Sequence, residues 1–228
     1  MKRPLLHGYW RSTASWRVRI ALALKGIDFD QVTHDLRRGE QRSETFLSLA
    51  SQGLVPAFEV GGGVLVQSLA ILEWLEEQYP APPLLPESAM NRAIVRGMTD
   101  LIACDIQPVN NLRVLQALRS DFGASEVQVR AWVARWIGDG FASLEQLVER
   151  YGGIFSFGDG PSFADCALVP QIYSARRFGV ELTHFPRLVA IEAHAGTLPP
   201  FAAAHPNRQP DFNPSASSSA TIRRLKRF

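Results

Sequence analysis

The chain has 228 residues, 46% of them hydrophobic and 20% charged, and a formal net charge of +2. That balance excludes a disordered or fibrous protein and leaves ample material for one large core or two small ones. No apolar run approaches the roughly 20 residues of a membrane span, and the amino terminus lacks the apolar block of a signal peptide, so a cytoplasmic protein without membrane contact is expected.

The positive charge is unevenly placed. Residues 207–228 carry Arg208, Arg223, Arg224, Lys226 and Arg227 against Asp211, a net +4, which leaves −2 on the remainder. The basic residues sit in a Ser-rich, Pro-containing stretch without interleaved aromatics, which reads as a flexible solvated tail and not as a nucleic-acid-binding surface. The two cysteines, Cys104 and Cys166, lie far apart in helical patterns and read as reduced, buried thiols. His7, His34, His184, His194 and His205 show no metal-ligand spacing, and no metal is expected.

In chain order, residues 4–10 read as a buried strand and 15–25 as a helix ended by Gly26. Between them, Ser12, Thr13 and Ser15 stand at a helix N-terminus, where unpaired backbone N–H groups cap or hold an anion or thiolate. Phe29 to Val32 reads as a second strand and 43–49 as a short helix. Gly53 to Val60 leads into a third strand, Gly61-Gly62-Gly63 turns the chain, and Val64 to Val66 returns it. Gln67-Ser68 then opens an amphipathic helix, Leu69 to Tyr79, stopped by Pro80. A plain N-cap accounts for Ser68 and leaves Gln67 unexplained, whereas an anion site uses both. Val55-Pro56 precedes a strand, where a trans proline would be an edge feature and a cis bond would leave the Val55 backbone open to a ligand.

The order βαβαββα predicts a small sheet combining a parallel pair and an antiparallel hairpin, covered by helices. Residues 80–86 (PAPPLLP) read as a semi-rigid linker. Beyond it the pattern is all-α: 88–119 with a bend or break at Pro108, Ser125 to Arg150, Cys166 to Phe178 opened by a capping box Ser162-Phe163-Ala164-Asp165, and Arg187 to His194. Trp132, Trp136, Phe141, Leu144 and Leu147 are the expected apolar positions of the long helix, the aromatic ones as core, and Asp165 is expected to hold a helix start. Arg17 and Arg19 are expected on the helix surface and the domain boundary.

RSTASWRVRIALALKG, GLVPAFEV, VQSLAILEWLEEQYP, ACDIQPVNNLRVL, SFADCALVPQIYSARRFGVEL and HPNRQPD together resemble, in order and spacing over roughly residues 4–212, the zeta class of glutathione S-transferases. The resemblance implies a thioredoxin-like N-terminal domain (1–82), a linker (83–88), an all-helical C-terminal domain (89–206), a tail (207–228) and a homodimer. It implies glutathione as cofactor, along Ser12, Thr13, Ala14, Ser15, Trp16, Gln41, Val55, Pro56 (the cis proline), Gln67 and Ser68, with Gln107 and Asn111 from the helical domain. Ser12 or Thr13 would face the sulfur, leaving Ser15 as a cap.

Where the class commonly reads Ser-Ser-Cys-Ser, this chain reads Ser12-Thr13-Ala14-Ser15. The missing thiol weighs against reductive dehalogenation and is compatible with isomerisation. The class includes maleylacetoacetate and maleylpyruvate isomerases, so the implied substrate is a keto-dicarboxylate held by Arg11, Arg113 and Arg177, with Arg11 also serving the chemistry. Ala14 and the pair Arg176–Arg177 look similar to the maleylpyruvate enzymes, whereas Gln107 looks like the maleylacetoacetate ones. A general transferase acting on α-halo acids and a non-catalytic module of the same fold are the alternative readings.

Overall fold

The computed structural model describes residues 3–214. Four strands, β1 (Leu5–Gly8), β2 (Asp30–Thr33), β3 (Ala57–Val60) and β4 (Gly63–Val66), form one sheet in the order β2-β1-β3-β4. The β1–β2 pair is parallel, with Leu6 opposite Gln31; β1–β3 and β3–β4 are antiparallel, with Leu6 opposite Phe58 and Phe58 opposite Leu65. Alternation along β1 and β3 gives the sheet two different faces. Leu6 and Phe58 join the main core with α1 (Thr13–Leu24) and α3 (Ser68–Gln78), while Ala57, Tyr9 and Trp10 form a second cluster with Phe46 of α2 (Glu44–Leu49).

Helix α1 is buried at every residue from Ser15 to Leu22. It packs between α3 on one side and two helices of the second half, α8 (Phe163–Phe178) and α10 (Pro199–Ala204), on the other. Arg17 and Arg19 are therefore interior residues, which corrects the surface placement for both. They lie two positions apart and so point to opposite sides of the helix. Arg19 donates to the carbonyls of Tyr9, Trp10 and Ala204, and burial lowers its pKa to about 9.

The Pro-rich connection is exposed over residues 80–83 and anchored after them. Leu84 and Leu85 are buried, and the Glu76 carboxylate accepts both of their backbone N–H groups. Lys25 Nζ lies 2.8 Å from Glu76 Oε2 and also donates to the carbonyls of Tyr79 and Pro82. Val55–Pro56 and Ala81–Pro82 are both cis.

After the connection, α4 (Ala89–Asp100) runs into a π-helical segment, Leu101–Ile106, then the short α5 (Gln107–Val109) and α6 (Leu112–Ser120). A proline inside an α-helix clashes with the carbonyl four residues back, here that of Cys104, and cannot donate to it. The wider π turn relieves this: the Gln107 N–H reaches back to the Ile102 carbonyl. Asn110 Nδ2 donates to the Ile106 carbonyl at 2.9 Å. Helix α7 (Glu126–Tyr151) crosses behind the π segment, and Gly140 makes that crossing possible, because a Cβ there would overlap the Ile106 side chain.

The buried stripe of α7 is Val129, Val133, Ile137, Phe141, Leu144 and Val148, one register away from the tryptophans. Trp136 is exposed, and Trp132 is half-buried with its indole N–H donated to the Val109 carbonyl. At the start of α8, the fully buried Asp165 accepts from the Ser156 and Ser162 backbones and from the Ser162 hydroxyl. Its role is structural, as expected. The chain continues through α9 (Pro186–Ala195) and α10.

The tail begins later than expected, because residues just past 206 are folded against the sheet. Asp211 accepts the Trp10 N–H at 2.9 Å, Phe212 stacks edge-on against the Trp10 ring, and Gln31 donates to Gln209. Residues 215–228, with the remaining basic charge, lie outside the described residues. Among the described residues no helix is long and apolar enough to cross a membrane, and no His/Cys/Asp/Glu group could hold a metal.

Candidate active site

The first turn of α1 begins the site. Ser12 N–H donates to the Tyr9 carbonyl, and Ser12 is the N-cap, its Oγ accepting the Ser15 N–H at 3.2 Å. Because the Ser12 oxygen accepts, its own proton stays available to a ligand. Gly8 lets the helix approach the strand, since a Cβ there would sit 3.3 Å from both Ser15 Cβ and Oγ. Ser15 is fully buried and does not cap, which corrects its assignment.

A second helix N-terminus converges on the same space. Gln67, the N-cap of α3, is held at φ 71, the left-handed region that non-glycine residues enter at a cost of about 1–3 kcal/mol. Its side-chain amide donates to Gln52 Oε1 at 2.7 Å, and no side chain caps the helix. The first N–H groups of α3 thus face the cleft beside Ser68.

The cleft has a volume of about 360 Å³ and lies between these elements and the π segment. Ser12, Ala14, Gln41, Val55, Pro56, Gln67 and Ser68 line one side; Gln107, Asn111 and Arg113 line the other. Ten of the sequence-derived candidates therefore meet in one place. Others do not. Trp16 stacks edge-on with Tyr173 and His205 in the interior, and neither Thr13, Ser15, Arg11 nor Arg177 lines this cleft.

Arg11 and Arg177 lie outside the lining of this cleft, and the charge of Arg11 acts on Arg177. The Arg11 guanidinium lies 5.2 Å from the Trp10 ring centroid and that of Arg177 lies 4.1 Å from the Phe178 centroid. Arg177 keeps solvent exposure at the residue level, yet protein atoms crowd its guanidinium; that burial, reinforced by the charge of Arg11, lowers its pKa to about 10. Arg176 points elsewhere and pairs with Glu192 at 3.0 Å.

Two cleft residues escaped the sequence reading. Arg17 is buried in its wall, and Cys104, expected to be buried, is exposed on the π segment. Partial desolvation of the thiol by neighbouring protein atoms and the nearby Asp100 and Asp105 raise the Cys104 pKa, which disfavours its thiolate. The signal for Arg17 was its spacing from Arg19: two cations on opposite sides of a helix packed on both sides force at least one inward.

The buried polar atoms describe the ligand this cleft fits. Gln41 Oε1 and Arg17 Nε and Nη2 are buried with no hydrogen-bond partner among the described residues. An orphaned acceptor, an orphaned cation and an open helix N-terminus together match a ligand that carries amide donors and a carboxylate.

Residues 6–83 match the glutathione S-transferase N-terminal domain model and residues 130–207 the C-terminal domain model. A maleylpyruvate isomerase of Ralstonia sp is 48% identical over 208 residues, covering 90% of this chain and 98% of the relative. A maleylacetoacetate isomerase of Pseudomonas aeruginosa is 48% identical over 209 residues, covering 90% and 97%. The holo structure of a maleylpyruvate isomerase, described as a bacterial glutathione S-transferase in the zeta class, superimposes with a TM-score of 0.89 at 47% identity, covering 92% of this chain and all of that one. The chain belongs to the zeta class of glutathione S-transferases. For this zeta-class chain, the small mixed sheet followed by a helical half is the expected fold, and the cleft lies where the two halves meet.

Proposed function

We propose that this chain is a glutathione-dependent cis–trans isomerase that converts a maleyl keto acid, maleylpyruvate or maleylacetoacetate, to its fumaryl isomer. The observation that carries the reading is the cleft itself, where Ser12, Gln67 and Ser68 from one half of the chain meet Gln107, Asn111 and Arg113 from the other. A substrate with two carboxylates calls for cations at the mouth of the site, and Arg113 on the cleft wall, with Arg11 and Arg177 at the neighbouring helix ends, supplies them. Glutathione, when bound, supplies the thiolate that adds reversibly to the conjugated double bond and permits its rotation.

The protein's own residues bind and polarise. Ser12 donates its free hydroxyl proton toward the sulfur, with Thr13 beside it at the first position of α1, and a hydrogen bond to the charged form favours thiolate. Gln41, the Val55 backbone, Gln67, Ser68, Gln107 and Asn111 hold the tripeptide. Arg11, Arg113 and Arg177 orient the dicarboxylate and stabilise negative charge that develops on its keto oxygen. Ala14 contributes no thiol. The protein acts as a homodimer in the cytoplasm, and sedimentation of the purified chain tests its assembly.

The ultraviolet absorbance of each keto acid is expected to change only when enzyme and glutathione are both present. The faster substrate identifies the physiological one. Arg177→Ala is expected to lower kcat/KM for the keto acid about 10- to 100-fold, the loss of one charge-assisted contact, while conjugation of a neutral electrophile changes by less than about threefold. Equal losses on both substrates would remove the dicarboxylate role.

A further inference from the structure

Among the charged residues lining the cleft, Arg17 alone is buried, at 1% exposure. Its Nη1 donates to Ser68 Oγ at 3.2 Å, and its Nε and Nη2 have no partner among the described residues. No described carboxylate forms a salt bridge with it. Burial lowers its pKa to about 10, so it stays charged at neutral pH. A buried guanidinium normally comes with an anion, because desolvating an unpaired charge is costly. The neighbours offer only thiols, Cys104 and Cys166, the latter pushed by burial well above its ordinary range. No described residue supplies the anion that completes this arrangement, and the cleft that Arg17 lines is open to one from solution.

Its position follows from the one hydrogen bond Arg17 makes. That bond goes to the first residue of α3 and not to Ser12. Ser68 Oγ accepts from the guanidinium, which leaves the hydroxyl proton to donate into the cleft, beside the open N–H groups of α3. Donating to Ser68 polarises that hydroxyl, and the buried charge adds to the helix dipole. We propose that Arg17 is the buried counter-charge for the γ-glutamyl carboxylate of glutathione at the α3 N-terminus, acting through the Ser68 hydroxyl as a positioning residue. This rests on glutathione being the ligand of the cleft.

The test is selectivity in binding, read by calorimetry on the full chain with glutathione and with an analogue whose γ-glutamyl carboxylate is a primary amide. The unmodified protein is expected to prefer glutathione by about tenfold or more, the worth of a charge-assisted contact. Arg17→Met loses most of that preference, weakening glutathione about tenfold and the amide less than twofold. Arg17→Lys, which keeps the charge, retains the preference. If Arg17→Met does not fold, Ser68→Ala takes its place: it removes the relay and is expected to reduce the preference. An unchanged preference in Arg17→Met or, in its place, Ser68→Ala overturns the assignment. Failure of the unmodified protein to bind either ligand would instead overturn the glutathione reading itself.

Discussion

Gln67 holds a left-handed conformation at the N-cap of α3, on the wall of the cleft, and no side chain caps the helix there. Gln67→Gly relieves backbone strain of about 1–3 kcal/mol, partly offset by glycine's extra entropy of about 0.5–1 kcal/mol. The ligand-free protein is expected to gain up to about 2.5 kcal/mol in urea unfolding while glutathione affinity falls. A variant that loses stability would show that the Gln67–Gln52 bond outweighs the strain. At this scale the sequence was informative about residues at element boundaries. Ser12, Gln67 and Ser68 announced themselves by type and place, since polar residues at helix starts have few other tasks. Arg17 did not, because its spacing from Arg19 marks an inward arginine only once α1 is known to be packed on both sides. Only the packing of α1 on both sides decides it.

Elements were legible in number and type and least legible where a distant contact sets their form. The break at Pro108 was predictable, but the π turn that carries it needs the carbonyl of Cys104 displaced and α7 close behind. The stripe of α7 was read correctly at Phe141 and Leu144 and one position off at Trp132, Trp136 and Leu147, because two tryptophans outweighed a run of β-branched residues spaced four apart, and the tryptophans line the flank instead. Gly140 couples these elements. Gly140→Ala is expected to cost about 1–3 kcal/mol through overpacking against Ile106 and to weaken glutathione binding, because Gln107 follows Ile106 directly. Thermal unfolding and calorimetry check the two effects, and a variant with unchanged stability would mean that the π segment yields freely.

At the scale of the whole molecule, the Pro-rich connection is anchored to the helices it joins, through Leu84 and Leu85. Lys25, at the end of α1, and Glu76, on α3, lie together beneath it, the lysine side chain fully buried and the glutamate 7% exposed. Glu76→Ala leaves that ammonium unpaired and two backbone N–H groups unsatisfied, a loss expected at about 3–5 kcal/mol in denaturant unfolding. Lys25→Met combined with Glu76→Leu is expected to recover part of it; recovery of nothing would place the loss in the backbone contacts alone. The far end of the chain is tied down too. Trp10 donates to a carboxylate 201 residues later in sequence, and Arg19 to a carbonyl 185 residues later. On the ribosome, the first sheet and helix emerge long before either partner exists, and Arg19 can be sealed inside only once α10 is made. The half that carries most of the glutathione cleft is thus synthesised first and finished last, so a nascent chain becomes competent only when almost all of it has been translated.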